Sequence, residues 1–197
     1  MPKQVDHVSR RRLIAEAVCA LADERGLEGV TLRDVAARAQ VSMGAVQRCF
    51  RTKEEMLLFA LGHIGERITE RVRARILSSP AQSARTALGH AATEVSLLAE
   101  EHRAEARVWL AFVAQAAVSK PLATTLQSNY TALHHLFTRL LTEAHIPTPH
   151  LEAHTLLALT DGLTTHVLIG HLTPHQAQTL LHTHLTNLWQ RQADPGC

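Results

Sequence analysis

Residues Thr31–Met56 read TLRDVAARAQVSMGAVQRCFRTKEEM, and their punctuation decides the fold. Thr31 and Asp34 form a [ST]xx[DE] capping box ahead of a short apolar face, Leu32, Val35, Ala36 and Ala39. That spacing predicts a helix of barely two turns. After the link Gln40-Val41, Ser42 is placed to cap another short helix whose Ala45, Val46, Cys49 and Phe50 face inward. Thr52 and Glu55 make a further capping box, and the stretch to about Ser79 predicts one long helix. Its apolar face runs through Met56, Phe59, Ala60, Ile64, Ile68, Val72 and Ile76.

Working outward, Ser9 to Arg25 carries Leu13, Ile14, Ala17, Val18, Leu21 and Ala22 at helical spacing, and Gly26 is a plausible stop. Beyond Pro80 the periodicity stays helical, in segments near 81–100, 101–118, 121–145, 149–170 and 174–191. Pro121, Pro147, Pro149, Gly170 and Pro174 punctuate them. The expectation is an all-α chain of about nine helices.

Composition agrees with that reading. Hydrophobic residues make up 46% of the 197, enough for a packed core, while aromatics are only 4%. The longest apolar runs, such as Val108 to Val118, are far shorter than the roughly 20 residues that cross a bilayer, so no membrane span is expected. Met1 to Arg12 is polar and basic, with no apolar segment behind it that would make a secretory signal. Cys19, Cys49 and Cys197 are widely spaced and match neither a disulfide framework nor a zinc site. A reduced, cytoplasmic setting fits them best.

The net charge of +2 hides an asymmetry: residues 1–53 hold ten Lys/Arg against six acids, and the remainder ten against twelve. A basic N-terminal module that meets a polyanion is one reading, and a solvated charged face is the other. Two short helices joined by a tight turn, with a basic second helix and a third helix bracing them, favour the first, because they describe a helix-turn-helix.

The run Thr31–Met56 also resembles the DNA-binding signature of the TetR family of transcriptional regulators, roughly T-x-R-x-I-A-x-x-A-G-V-S-x-G-x-x-Y-x-H-F-x-x-K-x-x-L. Thr31, Arg33, Val35, Ala36, Ala39, Val41, Ser42, Gly44, Phe50, Lys53 and Met56 fill its slots identically or conservatively. Three positions depart from it. Gln40 replaces the turn glycine, so a non-Gly residue has to sit in a left-handed conformation at a cost of roughly 1 kcal/mol. Gln47 replaces an aromatic that in the family touches DNA, and its amide can instead bond an adenine edge or a phosphate. Cys49 replaces the common His or Tyr and removes one phosphate donor.

The resemblance implies a DNA-binding domain over residues 1–55 that contacts a double-stranded operator. The ends of the short helices at Thr31 and Ser42 would offer backbone N–H groups to phosphates, and Gly44 would let the recognition helix approach the groove. Met43, Gln47 and Arg48 are the candidates for base edges or flanking backbone, with Arg48 best suited to a bidentate guanine contact. Arg33 fills a basic slot of the signature, while Arg51 and Lys53 supply charges for backbone phosphate. The run Arg10-Arg11-Arg12 opens the first helix, where cations are disfavoured, and therefore invites an external anion. For Val35, Ala36, Val41, Val46 and Phe50 plain core packing is sufficient.

Residues 56–197 would then form a helical ligand-binding and dimerisation domain. Its last two segments are amphipathic, and in the family such a pair forms a four-helix bundle with its mate, which implies a homodimer. Arg107-Val-Trp-Leu-Ala-Phe112 and Leu156-Leu-Ala-Leu-Thr-Asp-Gly-Leu163 resemble the C-terminal type of regulators related to the choline-responsive repressor, a likeness that does not transfer the ligand. Pocket candidates are Trp109, Phe112, Tyr130, His134 and Phe137, with Asp161 and His166 as polar groups that would fix a ligand; ordinary core packing is the alternative for each aromatic. The implied effector is a largely apolar small molecule with one or two polar handles, and a cation held by Asp161 and Trp109 also fits.

Fourteen histidines, twelve of them at or beyond His90, raise metal sensing as a variant. His150 and His154 stand four apart, and His182 and His184 two apart, but two-ligand patterns do not complete a site. No metal or cofactor is expected. Redox control through Cys49 is a second variant. An enzyme is disfavoured, since GxSxG, HExxH, P-loop and Rossmann glycine patterns are all missing. The expected role is that of a ligand-responsive regulator, acting as a repressor.

Overall fold

The computed structural model describes the backbone of residues 2–193 and the side chains of residues 7–190; Cys197 lies outside the described residues. Among them are nine α-helices, one 3-10 turn and no strand. The helices are α1 (Pro2–Arg25), α2 (Leu32–Arg38), α3 (Met43–Cys49), α4 (Lys53–Ser78), α5 (Ala84–Val95), α6 (Arg103–Ala116), α7 (Lys120–Glu143), α8 (Pro149–Leu168) and α9 (Pro174–Ala193). The 3-10 turn, Glu100–His102, precedes α6. The all-α expectation of about nine helices therefore holds.

Contacts group the chain into two compact units. The first is residues 1–67 with 107–126, and the second is residues 68–106 with 127–197. In the first, α1, α2 and α3 pack on one another. Ile14, Ala17, Val18, Leu21 and Ala22 from α1 are buried, as are Val35 and Ala36 from α2 and Ala45, Val46 and Phe50 at α3. Leu13 departs from the expected apolar face and is 44% exposed. At α1's end Gly26 takes φ +72, the left-handed cap that only glycine adopts without strain. Three residues on, a Cβ at Gly29 would stand 2.9 Å from Arg25 Cβ and 3.0 Å from the Arg25 carbonyl oxygen, so the turn back to α2 needs a glycine there.

The first unit also contains an α6–α1 tie, in which Arg107 donates to both oxygens of Asp23, from Nε at 2.5 Å and Nη2 at 3.1 Å. In the second unit α8 packs on α9, and α5 packs on both. Glu94 and Glu105 are largely buried there, and cations meet both of them. Arg71 Nε donates to Glu94 at 3.2 Å, while its two terminal nitrogens grip Glu105 at 3.1 and 2.9 Å. Arg75 adds a 2.9 Å bond to Glu94, and His102 Nε2 lies 3.6 Å from the same carboxylate. Such a group holds α4, α5, the 3-10 turn and α6 in register, because removing one member strands a buried charge.

Candidate nucleic-acid interface

Local chemistry builds the reader. Thr31 caps α2 by accepting from Asp34 N at 3.1 Å, and its own hydroxyl donates to Asp34 Oδ2 at 2.8 Å. Ser42 caps α3 by accepting from Ala45 N at 3.2 Å. Between the two helices Gln40 sits at φ +54, the left-handed conformation that the missing glycine demands. Glu55 N donates to Thr52 at 3.0 Å and Glu55 Oε2 accepts from Arg51 N at 2.8 Å, which fixes the entry into α4.

With the apolar side of α3 buried, its other side is a solvent-facing row. Met43 is 39% exposed, an unusual place for a thioether, and Gln47 and Arg48 are exposed beside it. Arg48 is folded back along the helix, so that a Cβ added at Gly44 would lie 3.5 Å from its Nη1. That is an ordinary contact distance, so the guanidinium lies over the start of α3 without requiring a glycine there. Arg33 and Arg51 are exposed on the neighbouring segments. Lys53 is engaged within the protein, where its ammonium donates to the Glu28 carbonyl at 3.1 Å and ties the first turn of α4 to the turn before α2.

Two charged features escaped the sequence. Arg11 does not stand with Arg10 and Arg12 as an open basic run: its guanidinium lies over Phe50 and Phe59, 4.8 and 4.3 Å from their ring centroids. Only its distance from Phe50 along the chain hid this. Glu24, on α1, accepts from Arg38 of α2 at 2.7 Å, and this hydrogen bond holds the carboxyl below its usual range.

Comparisons with known proteins match two stretches of the chain. The family described as "Bacterial regulatory proteins, tetR family" matches residues 14–59, and the one described as "BetI-type transcriptional repressor, C-terminal" matches residues 84–190. The HTH-type transcriptional regulator PksA of Bacillus subtilis is 33% identical over 177 residues, 86% of this chain and 83% of PksA. The chain belongs to the TetR family of transcriptional regulators. Among solved structures, a transcriptional regulator from Rhodococcus sp. Rha1 superposes with a TM-score of 0.82 at 30% identity, over 91% of this chain and 96% of that one. A regulator from Saccharomonospora viridis in complex with choline reaches a TM-score of 0.77 at 21% identity, over 91% and 96%, a likeness of fold alone. As a TetR-family regulator the chain binds DNA, and α3 lies within the matched residues 14–59. Among the described residues no helix is long and apolar enough to cross a membrane.

The seven pocket candidates in the body are divided between the two units. Trp109 and Phe112 fall in the first unit; Tyr130, His134, Phe137, Asp161 and His166 fall in the second. Phe112 and Phe137 are fully buried core side chains. Tyr130 donates its hydroxyl to Asp161 Oδ2 at 2.5 Å, joining α7 to α8. His134 stacks on His154, with centroids 3.9 Å apart, and approaches His150 at 5.8 Å. His166 is exposed at the end of α8, its ring 4.9 Å from that of His171. Among the described residues no three His, Cys, Asp or Glu side chains are grouped to hold a metal ion. Cys49 is buried on the inner side of α3.

Proposed function

We propose that the chain is an effector-released repressor, a homodimer whose residues 1–55 read an operator and whose residues 56–197 bind the effector and the mate. The observation that carries this reading is the exposed row Met43, Gln47 and Arg48 on a capped, braced α3. In this reading Arg48 reads a guanine, Gln47 an adenine edge or phosphate, and Met43 a thymine methyl. Arg33 and Arg51 neutralise backbone phosphate, as does Lys53 once it exchanges the Glu28 carbonyl for a phosphate. The caps Thr31 and Ser42 hold α2 and α3 in place, and Gly44 lets α3 approach the groove closely.

Dimerisation through α8 and α9 is supported by Leu151 and Ile169, 64% and 69% exposed, and by the exposed Leu180. Two copies would set their α3 helices in successive major grooves about 34 Å apart. The linked phenol and carboxylate of Tyr130 and Asp161 favour an effector with a cationic or donor handle on a largely apolar body. Choline, which the Saccharomonospora viridis regulator holds, is therefore the first compound to try. An effector that prefers the arrangement unable to span both half-sites releases the operator.

A gel-shift titration on the DNA upstream of the chain's own gene, with excess nonspecific competitor, tests the proposal. A discrete, competitor-resistant complex that choline or a related cation dissolves is expected. A complex unmoved by any cationic amphiphile would remove the effector assignment, and binding erased entirely by competitor would remove the repressor assignment.

A further inference from the structure

Within the first unit, beside the reader, lies a cleft of about 300 Å³ that the DNA-facing row does not use. Its apolar lining is Leu27 after α1, Leu57 on α4 and Leu122 on α7, each largely buried. Its polar lining is Glu28, Lys53, Glu54, Gln115 and Ser119, with both glutamates exposed. The single ammonium among them is already committed to the Glu28 carbonyl. Two carboxylates against one occupied cation leave this polar side negative, above a hydrocarbon surface. At about 30 Å³ per water-sized group, the cleft has room for roughly ten non-hydrogen atoms, the lower end of small-molecule sites.

We propose that this cleft is a binding site for small amphiphilic amines. The ammonium head lies between the Glu28 and Glu54 carboxylates, and the alkyl tail covers Leu27, Leu57 and Leu122. Neither half of such a ligand suffices alone: a bare cation forgoes the leucines, and a neutral alcohol forgoes the carboxylates. The site shares no residue with the Tyr130–Asp161 effector site proposed above and does not depend on it. Because Lys53 and Glu28 join α4 to the turn before α2, an occupant here touches the reader from inside its own unit.

Calorimetric titration of the full chain with n-hexylamine, protonated at neutral pH, tests the site against n-hexanol and methylamine. One saturable hexylammonium site in the millimolar range is expected, with hexanol about threefold to tenfold weaker, as one or two exposed ion pairs dictate, and methylammonium weaker by about a hundredfold or more, as the lost methylenes dictate. The double variant Glu28→Gln/Glu54→Gln should bring hexylammonium down to the level of hexanol, and Gln115→Trp, which fills the cleft from α6, should abolish the site. The absence of saturable binding, or binding unchanged in both variants, overturns the proposal; an amine held at Tyr130 and Asp161 would give that second result. Circular-dichroism melts check that Gln115→Trp folds, and where it does not, the double variant, altered only at exposed side chains, decides alone.

Discussion

Arg11 sits in the middle of an arginine run, yet its guanidinium covers Phe50 and Phe59, clamping α1 onto the end of α3 and the start of α4. Arg11→Ala should lower unfolding stability by about 1–2 kcal/mol in denaturant titrations, through lost cation–π attraction and lost packing of the side-chain stem, with Arg11→Lys recovering part. Arg48 is the opposite case, an exposed guanidinium. Arg48→Ala should weaken operator binding by about 1–3 kcal/mol and relax sequence preference while leaving the melt unchanged. The family pattern made Arg48 and its row legible, because side chains on the outer side of an amphipathic helix follow from spacing alone. It left Arg11 illegible, since a ring contact nearly forty positions away leaves no local trace.

At the scale of the element, the caps were the most readable features, because Thr31, Ser42 and Thr52 act within four residues of themselves. Gln40 was equally local: a turn that closes on a glycine slot keeps its left-handed backbone whatever residue fills it, and Gln40 is held at φ +54. Gln40→Gly should therefore raise stability by about 0.5–1 kcal/mol, read from the shift in denaturant midpoint, with the helix content unchanged. The Glu24–Arg38 bond between α1 and α2 sets a pH dependence. Its carboxyl titrates below its ordinary 4.5 in the folded chain. The stabilisation is thus complete above that value and is lost as pH falls through the folded pKa. Thermal melts of the wild type and Glu24→Gln should diverge near neutrality, with the wild type higher, and converge in acid; parallel curves at all pH values would show that the pair contributes nothing.

Across the whole molecule, helix count and class could be read from periodicity and proline placement, and the breaks fell within a few residues of the ends of α4 to α9. The buried group around Arg71 could not, since Glu94 and Glu105 look like ordinary surface charges until α4, α5 and α6 are brought together. Arg71→Leu, which leaves two carboxylates with one cation fewer, should cost about 3–5 kcal/mol of stability in chemical denaturation. The pocket residues were the least legible, because periodicity identifies an inward-facing aromatic without distinguishing a filled core from a ligand wall; Phe112 and Phe137 proved fully buried. The most direct test of the reader is a competition titration of wild type and Arg48→Ala on a duplex carrying the footprinted upstream site and on its scrambled counterpart, at two salt concentrations. The wild type should favour its site by about a thousandfold or more, and Arg48→Ala should lose much of that preference while keeping its salt slope within about one charge. Equal affinity of the wild type for site and scramble, or an unchanged preference in Arg48→Ala, would contradict sequence reading by α3.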